Sequence, residues 1–401
     1  MANKIKTGSL MQGLSQLITD ATIGITDLVE AMHRRVVHPP FLPSTPVQDL
    51  ITAIAGITYN NVKWSTRVIG GGLDKALGKL TPVLGSLKST DEGEVLRSVL
   101  NGLVGDYLEE KENPLQITMQ FRYQAKAILL ERESLEAAYL NISGKILVLV
   151  HGSCMNDIQW TRKDHNHGVA LANESGKTPI YLHYNSGRHI STNGQDFNEL
   201  LEELVLHWPV PVQELIIIGH SMGGLVTRSA LYYGQQQQKT WTKHLKKIVF
   251  LGTPHHGAPL ERTGNYLDGI LESIAYAQPF ARLGKVRSGG ITDLRYGNLV
   301  DEDWQGSDRF EIKADQRQHV PLPKRISCYN IAAVIGQEAD IVSPVVIGDS
   351  MVDIKSALGQ HENPAKQLQF KKKNTWIAYG VSHLGLLNNA EVYAKIKAFL
   401  V

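Results

Sequence analysis

The chain has 401 residues, 42% of them apolar and 20% charged, with a formal net charge of +2 at pH 7. That length and apolar content imply one large domain with an extra region and a substantial core, and they argue against wholesale disorder. The near-neutral charge offers no electrostatic basis for binding nucleic acid, and two cysteines, Cys154 and Cys328, can build neither a disulfide framework nor a CxxC zinc site.

The opening stretch MANKIKTGSLMQGLSQLITD has lysines but no continuous apolar core and no clear cleavage site. No apolar run approaches the ~20 residues of a spanning helix, so the default compartment is a reducing cytoplasm, with peripheral membrane contact left open. Through residues 1–112 apolar residues recur at helical spacing: Leu10, Leu14, Leu17 and Ile18, then Ile25, Leu28, Val29 and Met32. The prolines of HPPFLPSTP (38–46) break the pattern. It resumes with Leu50, Ile51, Ile54 and Ile57, then Leu73, Leu77 and Leu80, and again with Val95, Val99, Leu103 and Leu108. This region reads as a helical accessory element packed on a catalytic domain. A lipid-interface element and an oligomerisation element are its two alternatives, and the sequence leaves the oligomeric state open.

From 113 to 401 strands and helices alternate. Residues 117–123 read as a first strand, KILVLV (145–150) as a strand covered on both faces, and TPIYLHYN (178–185) as the next. NELLEELVLHW (198–208) reads as a helix, ELIIIG (214–219) as a buried strand, and GLVTRSALYY (224–233) as a helix. KKIVFLG, RISCYNIAAVIG and NTWIAYG are further strands, and AEVYAKIKAFL is a closing amphipathic helix. The basic run 371–373 reads as a solvated turn. The alternation predicts an α/β fold with a mostly parallel central sheet and helices on both faces. Residues 257–325, with Tyr266, Tyr276, Phe280 and Trp304, interrupt it as a cap or lid insertion expected over the C-terminal strand ends.

The strongest chemical signal is IIIGHSMGG, in which Gly219, His220, Ser221, Met222 and Gly223 form G-x-S-x-G. The string alone is weak. Its setting, directly after a buried strand and directly before a helix, is what a nucleophile elbow requires. Gly219 and Gly223 remove side chains that would clash in the tight turn, and the helix N-terminus favours developing negative charge. LVLVHGSCMND places His151, Gly152 and Ser153 at the end of another buried strand, where one oxyanion-hole amide is expected from Ser153 and the other from Met222. Gly152 lets the loop approach the substrate, and His151 reads as a residue that orients it. Cys154 lacks an elbow of its own.

In elbow hydrolases the acid and then the base follow the serine. Among fifteen histidines, His383 stands just after the last strand and before the last helix, with His361 in reserve. The acid is expected between residue 335 and His383, where Asp349 is preferred over Asp340, and Asp353 is a third candidate. His255 and His256 in GTPHHG read as packing and hydrogen-bonding residues. His165 and His167 in DHNHG lack a third ligand at suitable spacing, so no metal is expected.

Taken together, GHSMGGLV, the VHG loop, LGTPHHGAPLE, GDSMV followed by SALG, and SHLGLL resemble the lipase/esterase branch of the α/β-hydrolases. The likeness spans roughly residues 140–400 and points first to bacterial esterase/lipase-like proteins and more distantly to GPI inositol-deacylase-like hydrolases. It implies Asp349 as the triad acid, with Ser350 and Asp353 standing where that branch has Gly and Pro. The expectation is a cofactor-free serine hydrolase acting on a small-molecule ester or a lipid. Acyl transfer or thioester hydrolysis on the same triad is the alternative, and a non-catalytic interaction protein on the hydrolase fold is the third reading.

Overall fold

The computed structural model describes residue 78 and residues 90–258, 287–306, 315–336 and 348–400. The helical patterns between residues 10 and 80, the aromatic residues Tyr266, Tyr276 and Phe280, and Asp340 lie outside the described residues.

The described chain opens with α1 (Asp91–Glu110), capped by the Thr90 side chain on the amide of Gly93. Then come β1 (Gln120–Tyr123), β2 (Lys126–Ala127), α2 (Arg132–Ala138), β3 (Lys145–Val150), α3 (His167–Ser175) and β4 (Thr178–His183). These are followed by α4 (Ile190–His207), β5 (Glu214–His220), α5 (Met222–Gln236), α6 (Trp241–His244) and β6 (Leu245–Leu251). The chain continues with α7 (Gly289–Leu294), β7 (Ser327–Val334), α8 (Ile354–Ala357), β8 (Thr375–Tyr379) and α9 (Ala390–Leu400). The strands form one eight-stranded sheet in the order β2-β1-β4-β3-β5-β6-β7-β8. β1 is antiparallel to β2 and β4, and the remaining neighbours are parallel. This is the mostly parallel sheet of an α/β-hydrolase fold.

The unbroken apolar runs of the central strands follow from double coverage. Ile146, Val148 and Val150 point into one core with Leu215, Ile217 and residues of α1, α4 and α5. Leu147 and Leu149 point the other way, into a second core with Ile216, Ile218, Leu171 of α3, and Val392 and Ile396 of α9. Each such side chain contributes roughly 1.5–3 kcal/mol on burial.

Elements that depart from the sequence reading do so because a distant partner intervenes. The strand expected from 117 starts only at Gln120, since the amide of Ile117 donates to Asn101 Oδ1 on α1 at 2.9 Å. α4 starts eight residues before the 198–208 pattern, through weak helix formers, because the Asp293 carboxylate of α7 accepts from the amide of Ile190 at 2.8 Å. α3, which the sequence reading passes over, is capped by Asn166 on the amides of Gly168 and Val169 and closed by Gly176 at φ 62°. α1, grouped by sequence with the accessory region, buries Val99, Leu100, Leu103 and Leu108 in the same core as the sheet. Of the 257–325 insertion, residues 287–306 pack beside α1 and α4. Ser288 donates to the Gly102 carbonyl, and the His189 and Trp304 rings stack at 3.6 Å.

A buried ionic cluster ties α1 to the sheet. The Arg122 guanidinium lies 2.9 Å from Glu94 and 3.1 Å from Asp157, and His183 lies 3.4 Å from Asp157. Burial alone would push the Asp157 carboxyl up. The neighbouring His183 and the Arg122 charge outweigh it and hold the carboxyl below its ordinary value. Asp157 therefore contributes stability that is complete above its unfolded pKa, about 4, and is lost as pH falls through the lower folded value. Arg122→Met removes the cation that bridges both carboxylates, leaving Glu94 with Arg97 at 3.6 Å and Asp157 beside His183, and is expected to cost about 3–5 kcal/mol at pH 7. In urea unfolding the gap to wild type should narrow below about pH 4, as the two carboxylates protonate. A gap that stays constant with pH would show the loss to be one of packing.

Candidate active site

β3 and β5 lie side by side, and the chain leaves them for opposite halves of the sheet, β4 on one side and β6 on the other. This reversal opens a crevice at their C-terminal ends. The register pairs Val150 with Gly219, so residues 151–153 and 220–222 leave the sheet next to each other. Adjacent β6 ends at Leu251, whose carbonyl accepts from the Ser221 amide at 2.8 Å.

Ser221 sits at φ 53°, ψ −125°, a conformation in which a side chain is strained, and Met222 is the first residue of the fifteen-residue α5. Such strain, about 1–3 kcal/mol, persists only where the surroundings impose it. Gly219 is part of that imposition: a Cβ there would lie 2.7 Å from Gly224 Cα. The Met222 amide belongs to the first turn of α5, outside the intrahelical ladder. Across the crevice, a Cβ on Gly152 would lie 3.0 Å from Ser221 Cβ and 3.1 Å from His220 Nδ1, so a larger residue would have to push the 151–153 loop or the elbow apart by a few tenths of an ångström. Ser153 follows it and is buried.

Asp349 and His383 meet behind this turn. The His383 Nδ1–H donates to Asp349 Oδ2 at 2.6 Å, and the His383 amide donates to the Asp349 carbonyl at 3.1 Å. The other carboxylate oxygen accepts from the amides of Met351 and Val352 at 3.1 and 2.9 Å. Both side chains are buried. Of the other acid candidates, Asp353 caps α8 by accepting from the amides of Lys355 and Ser356, which accounts for it without chemistry. Ser350 holds φ 83°, the backbone that favours glycine. His361 bonds to Asp315 at 3.1 Å, within a cluster that includes Arg317 and Lys366.

Gly152, Ser153, Met155, His220, Ser221, Met351, His383 and Leu384 line one cavity of about 10 Å³, room for little more than a water-sized sphere. His383 Nε2 is buried there with no hydrogen-bond partner among the described residues. Met155, Met351 and Leu384 make the walls largely apolar. They were not legible as site residues, since nothing in their local pattern differs from core.

The supporting residues hold backbone. His151 is neutral, its pKa pushed down to about 3 by burial. Its Nδ1–H donates to the Gly152 carbonyl at 2.8 Å, and its ring stacks on Tyr184 at 4.3 Å, which fixes the loop. His220, also held well below its ordinary value by burial and then by His383, bonds through Nε2 to the His383 carbonyl at 3.2 Å. Burial pushes the Cys154 thiol up to about 12, so it holds its proton. His255 packs against Phe250 and Phe370, and His256 bonds to the Gly359 carbonyl at 3.1 Å.

Residues 141–317 match the family described as "PGAP1-like alpha/beta domain". No curated protein matches the chain. Similar solved structures include the mature Bacillus licheniformis lipase BlEst2, 16% identical over 64% of this chain and 92% of that one, TM-score 0.44. They also include a Pyrobaculum calidifontis esterase, 13% identical over 78% of this chain and 94% of that one, TM-score 0.39. The Pyrococcus furiosus esterase PF2001 is 14% identical over 64% of this chain and 82% of that one, TM-score 0.38. With its sheet order and its strand–turn–helix elbow, the chain has an α/β-hydrolase fold.

Proposed function

We propose that the chain is a serine hydrolase that cleaves carboxylic esters through an acyl-enzyme. The observation that carries this reading is the convergence on one cavity of Ser221, strained at a helix N-terminus, with the buried His383–Asp349 pair. His383 Nε2 takes the Ser221 proton as Oγ attacks the carbonyl carbon, and the tetrahedral oxyanion is bound by the amides of Ser153 and Met222. Collapse breaks the bond to the alcohol, which leaves with the proton held by His383. Water then attacks the acyl-enzyme and gives a proton to His383; collapse breaks the bond to Ser221 Oγ, which takes that proton back from His383 as the acid leaves. Asp349 holds His383 in the tautomer with the proton on Nδ1, leaving Nε2 as base. The bond between His383 and Asp349 is formed already, while the bond from Ser221 to His383 Nε2 is expected to form in the substrate complex. No step calls for a cofactor. The largely apolar walls suit an ester of a carboxylic acid, with acyl length set by how far they part.

The test is covalent labelling. A fluorophosphonate probe should modify wild-type protein on the peptide carrying Ser221, and p-nitrophenyl esters of graded chain length should be hydrolysed with a burst. Labelling elsewhere, with no turnover across the series, would overturn the proposal.

A further inference from the structure

The DHNHG segment, 164–168, has no part in the chemistry above, yet it bonds to the turn that carries His383. His167 is fully buried at the first position of α3, and its Nε2 lies 2.8 Å from the carbonyl of Leu386. Its Nδ1 lies 2.7 Å from Nε2 of His165. The protons in this chain can be placed. A carbonyl only accepts, so His167 Nε2 carries the hydrogen. Its Nδ1 is then the acceptor in the neutral ring, and His165 Nε2 is the donor. Burial keeps His167 neutral, its pKa pushed down to about 4. The Tyr393 ring of α9, stacked on His167 at 5.7 Å, limits its rotation.

The accepting carbonyl belongs to the one-turn helix Leu384–Leu387, of which His383 is the N-cap. Carbonyls at the end of so short a helix have no partner within it. His167 supplies one from 219 residues earlier in the chain. Asp349 and His220 hold His383 from the other side, through its ring, amide and carbonyl.

We propose that His167 is a positioning residue for the general base, anchoring the His383-bearing turn through the Leu386 carbonyl, with His165 setting the His167 tautomer. The inference rests on the reading of His383 as base. Loss of the anchor lets the turn shift by a fraction of a helical rise, enough to misalign proton transfer without disturbing the Ser153–Met222 side of the cavity.

The experiment compares two amide substitutions in the full chain. The His167→Gln side chain can place its NH2 near the former Nε2 and reach Leu386. His167→Asn reaches only to the former Nδ1 and loses the carbonyl. With a p-nitrophenyl ester, His167→Asn should lower kcat about 10- to 100-fold with KM within about twofold. His167→Gln should stay within about fivefold of wild type, and His165→Leu should fall between the two. Equal kcat in the Asn and Gln variants, or a loss confined to KM, would overturn the proposal. Should either His167 variant not fold by near-UV circular dichroism, His165→Leu decides, since wild-type kcat there removes the tautomer chain. Ser221→Ala and His383→Ala run alongside. Full activity in those two sinks the reading of the base, whereas their inactivity with equal Asn and Gln variants sinks only the role of His167.

Discussion

Ser221→Ala is expected to lower kcat on a p-nitrophenyl ester by about 10⁴- to 10⁶-fold while leaving the protein folded. Alanine keeps the Cβ and hence the backbone imposed at φ 53°. What disappears is the oxygen that forms the acyl bond. Residual activity should come from the oxyanion donors and from binding alone. A companion substitution separates chemistry from backbone. Ser221→Gly should be equally inactive but more stable than Ser221→Ala, by about 1–3 kcal/mol, because glycine occupies this region without strain. Thermal unfolding of the two variants checks this. Equal Tm values would mean that the turn stores no strain, and wild-type activity in Ser221→Ala would remove the nucleophile from the scheme.

Asp349→Asn is expected to lower kcat by about 10³- to 10⁴-fold with little change in KM. The geometry gives the reason. One oxygen of Asp349 accepts from two backbone amides, and an Asn carbonyl oxygen can keep those bonds. That orientation turns the Asn NH2 toward His383 Nδ1 and forces the imidazole into the opposite tautomer, with its proton on Nε2, where it cannot accept from Ser221. The fold should be nearly unaffected, so the variant should still bind substrate. Asp353→Asn is the contrast. Asn is as good a helix cap as Asp, so kcat should hold within about twofold. Comparable losses in both variants would remove Asp349 from its role, and a loss confined to Asp353 would reassign the acid.

Much of this site could be read without a structure because its parts sit at element boundaries, and boundaries are written locally. Strands buried on both faces are apolar through their interiors, so KILVLV and ELIIIG declare themselves, the second running on to His220. A serine between glycines at the junction of such a strand and a helix is legible for the same reason. So is His383, the histidine between the last strand and the closing helix.

The acid was legible as a preference for Asp349, carried by its GDSMV segment rather than by spacing. Asp349 and Asp353 are four residues apart in one polar segment, and spacing does not say which turns inward. A left-handed residue at 350 and the amides of Met351 and Val352 aim Asp349 at His383, while the same loop makes Asp353 a helix cap. The histidines of DHNHG were likewise opaque, since the carbonyl that gives His167 its role lies 219 residues away. The start of α4, capped by Asp293 from 103 residues further on, and the merging of α1 into the sheet's core belong to the same class. By itself the sequence determined the mostly parallel sheet and the strand–turn–helix elbow at Ser221, because periodic burial and turn chemistry act over a few residues. Tertiary structure decided that the Asp349 carboxylate meets His383 while Asp353 caps a helix, and that His167 meets the Leu386 carbonyl, because those depend on hydrogen bonds between segments that only packing brings within about 3 Å.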